Sequence, residues 1–147
     1  MAIDALDAFY ARAGADATLQ GLLGTKASGK ARVYPQFPDT VLAEEDYPRV
    51  TYFMVTGGHV GLAIDEILIQ ADIWVWPTGV NGGPGRLGTI DAQMLVLFHG
   101  STNAGAPGIE WSQGGGRIFS RSVSWRDFPT APDEPLRRRR DYRLRVS

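Results

Sequence analysis

The residues Gly83–Gly88 match the pattern G-x-G-x-x-G, which in dinucleotide-binding proteins wraps a tight turn around a pyrophosphate. The match lies between a predicted strand and a predicted helix, as that chemistry requires. However, Thr78–Gly82 lengthens the turn, and Pro84 lacks a backbone N–H that could donate to a phosphate. No apolar strand ending in an acid follows the helix. We interpret the segment as a loop leading into a helix, and keep a small nucleotide-binding domain as an alternative.

Metal and nucleophile chemistry has little support in the residue pattern. His59 and His99 are the only histidines, and neither has a partner at metal-ligand spacing, although Asp65, Glu66 and Asp72 supply carboxylates. The chain has no cysteine, which excludes disulfides and thiol catalysis, and no G-x-S-x-G nucleophile motif. We interpret both histidines as turn residues. The prediction is a protein that is not an enzyme, with no catalytic residue, no metal site and no cofactor.

The run Arg137–Arg140 is the most pronounced charge feature. From Arg117 onward the chain has nine arginines and four acids, whereas the first 116 residues have six basic residues and twelve acids. Three interpretations remain open: a solvated sheet face or a guard on a sheet edge, a subunit interface with acids of a neighbour, or direct nucleic-acid binding. The candidate acids are Glu44, Glu45 and Asp46. The overall net charge of -1 disfavours the nucleic-acid interpretation.

Strand alternation would divide the arginine run between two faces. If residues 136–146 form a strand, one face holds Arg137 and Arg139, and the opposite face holds Arg138 and Arg140. The first face also carries Arg143, Arg145 and Asp141. The second face also carries Leu136, Tyr142, Leu144 and Val146.

Two helices are predicted from apolar residues that recur at spacings of three and four. The first begins at Ile3 and ends at Gly14, and a short second turn has Asp16 as its N-cap and ends at Gly24. The second main helix covers Arg86–Phe98. Its polar side, which we expect to face away from the core, holds Thr89, Asp91 and Gln93.

Alternating apolar residues predict five strands. These are Arg32–Tyr34, Arg49–Thr56, Glu66–Trp76, Arg117–Phe128 and Leu136–Val146. Residues 36–48 are predicted to form an exposed connection, and the segments 78–85 and 99–116 are predicted to be Gly-rich loops. The order of elements indicates an α+β fold, with a mostly antiparallel sheet of about four to five strands and two main helices packed on one face.

Length and composition are typical of one soluble domain over residues 1–147. The chain has 44% hydrophobic and 21% charged residues, which disfavours disorder. Its longest apolar run, Met94–Phe98, is far shorter than a membrane span, and the N-terminal residues do not resemble a signal peptide. We therefore expect an intracellular or virion protein that does not bind membranes.

The order of short motifs resembles that of tail-terminator or tail-completion proteins of long-tailed bacteriophages. The motifs are Leu22-Leu23-Gly24, Arg32-Val33-Tyr34-Pro35, Tyr47-Pro48-Arg49-Val50-Thr51-Tyr52 and Gln70-Ala71-Asp72-Ile73-Trp74-Val75-Trp76, followed by a helix and two C-terminal strands. The resemblance spans nearly the whole chain. The long Gly-rich segment after His99 and the tetra-arginine run depart from the family pattern.

The resemblance implies a structural protein that forms a ring, typically a hexamer. Such a ring caps the tail tube at the head-proximal end of the tail, stops its polymerisation and offers a docking surface to the head. The implied partners are other copies of the chain, the tail tube protein and a head-completion or connector protein. Assembly is expected in the host cytoplasm, and DNA is expected to pass through the ring without specific binding. A head-completion or connector protein is the alternative within this biology.

A closed ring needs two different patches that meet on neighbouring copies. The basic C-terminal third and the acidic remainder could supply these patches. Trp74 and Trp76 lie on the less apolar face of a predicted strand, where aromatic residues often anchor interfaces, although a helix of the same chain could equally cover them. Candidate interface residues are Trp74, Trp76, Trp111, Glu44, Glu45, Asp46, Arg137, Arg138, Arg139 and Arg140.

Overall fold

The structure, a computed structural model, describes residues 4–35, 43–59 and 65–146. The helices are α1 (Ala5–Ala15), α2 (Ala17–Leu23) and α3 (Gly83–His99), with a 3₁₀ turn over Glu44–Asp46. The strands are β1 (Val33–Pro35), β2 (Arg49–His59), β3 (Asp65–Val75), β4 (Ile109–Gln113), β5 (Gly116–Asp127) and β6 (Leu136–Val146). Ile3 and most of the predicted connection over 36–48 lie outside the described residues.

The strands form one six-stranded sheet in the order β1-β2-β3-β6-β5-β4. The pair β1–β2 is parallel, and the other pairs are antiparallel. The last strand in sequence, β6, therefore lies in the middle of the sheet between β3 and β5. An α+β fold with a mostly antiparallel sheet is confirmed, but the sheet has six strands where four to five were expected.

One face of the sheet is covered by the helices. The inward side of β3 is apolar at every second position, and Ile69 and Ile73 are wholly buried. Phe9 of α1 stacks on Phe98 of α3 at a ring distance of 4.2 Å, and both rings contact Tyr142 of β6. This aromatic group joins the helical layer to the central strand.

Local signals in the sequence define the helix ends. The side chains of Asp4 and Asp16 accept hydrogen bonds from backbone N–H groups in the first turns of α1 and α2, as N-cap residues do. At the other end of α3, Gly100 has a left-handed φ of 76° and ends the helix. The predicted N-cap at Asp16 is confirmed.

Three local predictions were wrong. The strand β4 lies inside the segment predicted as a loop over 99–116, because the short run Ile109–Gln113 pairs with β5 despite its glycine-rich flanks. Helix α3 begins at Gly83, so the whole G-x-G-x-x-G match is helical and does not form a loop before the helix. Within α3, Asp91 is buried against the sheet and does not face away from the core.

Among the described residues, no helix is long and apolar enough to cross a membrane.

Candidate assembly site around the arginine strand

On the helix-covered face of β6, two arginines hold one buried carboxylate. Asp91 of α3 accepts two hydrogen bonds from Arg140, from Nε and from Nη2, each at 2.8 Å. Arg138 Nη1 donates to the same carboxylate at 3.1 Å. Asp91 and Arg140 are both buried, so this group, the Asp91 cluster, fastens α3 to the centre of the sheet.

The rim of the Asp91 cluster is formed by β5. Asp127 accepts two hydrogen bonds from Arg138, at 2.7 and 3.2 Å, and the Trp125 ring lies 4.9 Å from the Arg138 guanidinium carbon. The hydrogen bond to Asp127 raises the pKa of Arg138. Burial acts to lower the pKa of Arg140, but its hydrogen bonds and ion pair with Asp91 outweigh burial and leave that pKa raised. Both guanidinium groups therefore stay charged.

On the opposite, open face of the sheet, the other two arginines hold a second buried carboxylate. Asp72 of β3 accepts from Arg137 Nη2 at 2.8 Å and from Arg139 Nε at 2.9 Å. Asp72 is wholly buried, and its hydrogen bond raises the pKa of Arg139. The Arg137 guanidinium carbon also lies 4.1 Å from the Phe128 ring and 4.6 Å from the Trp74 ring. We call this group the Asp72 cluster.

The contacts of the four arginines rule out one of the earlier interpretations of the run Arg137–Arg140. Each of the four arginines bonds an acid of its own chain, so the run does not present four free charges. The interpretation as an edge guard was wrong, because β6 is a central strand. The predicted division of the run between two sheet faces is confirmed. Sequence reasoning missed Asp72 and Asp91 as the partners, since both lie far from the run along the chain.

A third group on the open face is more exposed. Glu66 of β3 bonds Arg143 at 3.1 Å and Arg145 at 3.3 Å, and the two arginine side chains are 43% and 50% exposed. Phe119 and Arg121 of β5 border the same shallow groove. The open face therefore carries a buried ion cluster around Asp72 and a solvent-exposed ion cluster around Glu66.

The three candidate tryptophans have different surroundings. Trp74 is half-buried on the open face, and its Nε1 donates to Thr51 Oγ1 at 2.9 Å. Trp76 lies just beyond β3 and packs against Tyr47 at a ring distance of 5.7 Å. Trp111 is buried, and the Arg12 guanidinium carbon lies 4.9 Å from its ring. The structure thus contradicts the assignment of Trp111 to a surface, because its indole belongs to the core.

The acidic residues Glu44, Glu45 and Asp46 form the 3₁₀ turn beside β1. Glu44 and Glu45 are exposed, while Asp46 accepts a hydrogen bond from the Ala43 backbone N–H at 2.8 Å. The turn borders an open groove of about 570 Å³ that Trp76 also lines. The structure does not bring these acids to Arg137–Arg140 of the same chain.

Neither His99 nor the glycine match forms a site in the described part of the chain, and the side chain of His59 lies outside the described residues. His99 is buried at the end of α3, where its Nδ1 accepts from the Ser122 N–H at 3.1 Å and its Nε2 therefore carries the proton donated to the Asn103 carbonyl. Within the described ranges no three metal-ligating side chains come together. The strand before α3 pairs only with antiparallel neighbours, so the glycine match lacks the parallel βαβ setting of dinucleotide-binding folds.

Two sheet edges lack a strand partner within the described part of the chain. On β5, strand β4 pairs only with Gly116–Ser120, which leaves Val123–Asp127, here called the outer β5 edge. On β2, strand β1 pairs only with Val50–Tyr52, and the segment Met54–His59 is here called the outer β2 edge. Both edges contain a β-bulge, at Val123 and at Val55. Sequence reasoning missed both bulges, because it assumed regular alternation along each strand, whereas a bulge shifts the alternation by one residue.

Comparison with solved structures finds a similar fold in a chain of the virion of a native gene transfer agent (GTA) particle. The two chains are 17% identical, the match covers 94% of this chain and 90% of that chain, and the TM-score is 0.57. At that identity the likeness shows a shared fold. No protein-family model matches the chain, and no curated protein matches its sequence.

Proposed function

We propose that this protein is a structural component of a virion and acts as a tail terminator. Copies form a ring on the end of the tail tube, prevent the addition of further tube subunits and present a docking surface to the head. The observation that carries the proposal is the likeness of nearly the whole fold to a chain of a gene transfer agent virion. The order of short motifs described above supports the same conclusion independently.

The proposed mechanism is steric and needs no reaction chemistry. A ring subunit must keep its shape while it contacts two neighbours and a tube. The Asp72 and Asp91 clusters brace β6 from both faces with charge-assisted hydrogen bonds, which suits a rigid subunit. The rigid sheet then carries two different lateral edges, as a head-to-tail ring requires.

The proposal is tested by combining mass measurement with electron microscopy. Light scattering measures the oligomeric state of the free protein, and microscopy of tail tubes assembled with and without the protein measures tube length. We expect capped tubes of limited length and a ring-shaped density at one end. A protein that stays monomeric and leaves tube length unchanged at high concentration would contradict the proposal.

Position in the particle separates the terminator from a head-completion or connector protein. Gold-labelled antibody against this protein should mark the head-proximal end of isolated tails. Label found on isolated heads, with none on tails, would assign the protein to the head side of the joint.

A further inference from the structure

The outer β5 edge and the outer β2 edge lie at different levels along the strands, on opposite sides of the sheet. The hydrogen-bonded rows of the sheet put β1 beside Val50–Tyr52, in the same rows as Trp125–Asp127 of the outer β5 edge. They put the start of β4 beside Ser120, in the same row as Gly57 of the outer β2 edge. Among the described residues, each side of the sheet is therefore covered at the level where the other side has no strand partner.

Such edges fit together when a second copy stands beside the first in the same orientation. In that arrangement β1 of one copy lies against the outer β5 edge of the next, and β4 lies against the outer β2 edge. The strand directions permit both contacts, because β1 runs antiparallel to β5 and β4 runs parallel to β2. The three rows of Arg121, Ser122 and Ser124 separate β1 from β4, so the two half-strands do not overlap.

Exposed apolar side chains are concentrated on the same two edges. Seven large hydrophobic residues are exposed in the described ranges, and four of them lie here. These are Met54 (50% exposed), Val55 (42%), Val123 (44%) and Trp125 (54%). Free edges are normally protected by charge at such positions. Here both bulges carry valine, which indicates that the edges are covered in the assembled state.

Charge is also complementary across the proposed joint. On the β5 side, Arg126 is exposed in a row that β1 would occupy, and the neighbouring Asp127 is already paired with Arg138 of its own chain. On the β1 side, Glu44 and Glu45 are exposed in the 3₁₀ turn, which is tied to the residue before β1 by a bond from Arg32 Nη1 to the Glu45 carbonyl at 2.9 Å. Opposite charges would thus meet when copies stand side by side, which favours a neighbour in one orientation.

We propose that neighbouring copies join by their sheet edges, with the outer β5 edge of one copy against β1 and the outer β2 edge of the next. The inference rests on the proposed ring and names its subunit contact. In this contact, β4 of one copy and β1 of the next lie end to end between the two sheets and leave a short gap. Val123 of the first copy and Val55 of the next copy lie on opposite sides of this gap. Their strands are then two strand spacings apart, about 10 Å.

Cross-linking tests this contact directly, because the chain has no cysteine of its own. The double variant V55C/V123C is treated with a short bis-maleimide that spans about 10 Å, matched to two strand spacings. We expect a ladder of covalent oligomers on a denaturing gel. The control V80C/V96C carries its cysteines at two other exposed valines and should give monomers.

The single variants test the head-to-tail arrangement. V55C and V123C treated separately should remain monomeric, and mixing them should give dimers. Strong dimers from either single variant would indicate a two-fold contact and overturn the inference. A double variant that cross-links no better than V80C/V96C would also overturn it.

Charge substitution provides a measurement that does not depend on the cross-linker. V123D or V55D should raise the concentration needed for self-association by about tenfold or more, because a desolvated charge has no partner there. The pair V55K/V123D should restore association, whereas V96D, at an exposed position of α3, should change nothing. Circular dichroism confirms that each variant is folded. Rings that form equally well in every variant would refute the edge contact but leave the terminator proposal standing, whereas absence of rings and capped tubes in all proteins would refute both.

Discussion

The Asp91 cluster and the Asp72 cluster lie on opposite faces of one strand and use the same residue types, yet they do different work. Asp91 joins a helix to the sheet, and its main partner Arg140 has a side chain only 9% exposed. Asp72 joins two adjacent strands, and its partners Arg137 and Arg139 are 20% and 17% exposed. The comparison teaches that neighbouring arginines in a sequence acquire separate roles when strand alternation sends them to different layers.

The largest effect is expected from Asp91→Asn. Removing this charge leaves the buried Arg140 without its counter-ion, whereas Arg138 keeps Asp127. A loss of about 3–5 kcal/mol in the free energy of unfolding is expected for a broken buried ion pair. Urea unfolding measures the loss, and Asp133→Asn, at an exposed turn position, is the matched control. A loss equal to that of the control would show that α3 is not held by this cluster.

A smaller loss is expected from Asp72→Asn. Arg137 and Arg139 are partly exposed, so water can solvate them once the carboxylate is gone. The expected loss is about 2–3 kcal/mol, below the range for a fully buried pair. The same urea measurement compares the two clusters directly. If Asp72→Asn cost more than Asp91→Asn, the ranking by exposure of the arginines would be wrong.

Tyr142 gives a test at alkaline pH beside the Asp91 cluster. Burial raises the pKa of its hydroxyl well above the usual value of 10.0, so its contribution to stability is complete below pH 10 and is lost as the pH rises further. Tyr142→Phe should flatten this decline. At neutral pH it should leave stability unchanged or raise it by about 1 kcal/mol, since the hydroxyl is buried without a hydrogen-bond partner among the described residues.

Thermal melts between pH 7 and pH 11 measure the Tyr142 effect. Tyr52→Phe is a useful comparison, because burial also raises the pKa of Tyr52. Each variant should remove part of the alkaline decline. An unchanged pH profile in Tyr142→Phe would show that this hydroxyl does not titrate during unfolding.

The smallest effect is expected from Glu66→Gln. Its partners Arg143 and Arg145 are about half exposed, and exposed ion pairs contribute less than about 1 kcal/mol. Moderate salt should abolish even this difference, whereas the loss in Asp91→Asn should persist. Unfolding measured at two salt concentrations separates the solvated cluster from the buried ones.

Local patterns predicted the elements of this fold better than its contacts. The bounds of β6 match the prediction at both ends, because its alternation is regular from Leu136 to Val146. The prediction that Arg86–Phe98 is helical was also correct, and Ile90, Met94 and Phe98, which recur at a spacing of four, are all wholly buried. By contrast, β4 has few apolar residues and was missed, because its place in the sheet comes from pairing with β5.

At the candidate site, too, local patterns predicted the positions of residues but not their contacts. Alternation predicted how the arginines divide between faces, but their charge looked free because the compensating acids lie 47 to 67 positions away. Asp91 was placed on the wrong side of α3 because an acid on a helix usually faces water. Only the packing of α3 over β6 reveals that this position needs a carboxylate.

The central position of β6 has a consequence for how the chain is made. Asp65 pairs with Val146, and Val75 pairs with Leu136, so the inner edge of β3 is completed only by β6, which is synthesised after β5. A nascent chain that has emerged from the ribosome as far as β5 still exposes that apolar strand and holds Asp72 and Asp91 without their arginines. The sheet can therefore close only after β6 has been translated, and a chain that stalls before β6 exposes apolar surface of the kind that promotes aggregation.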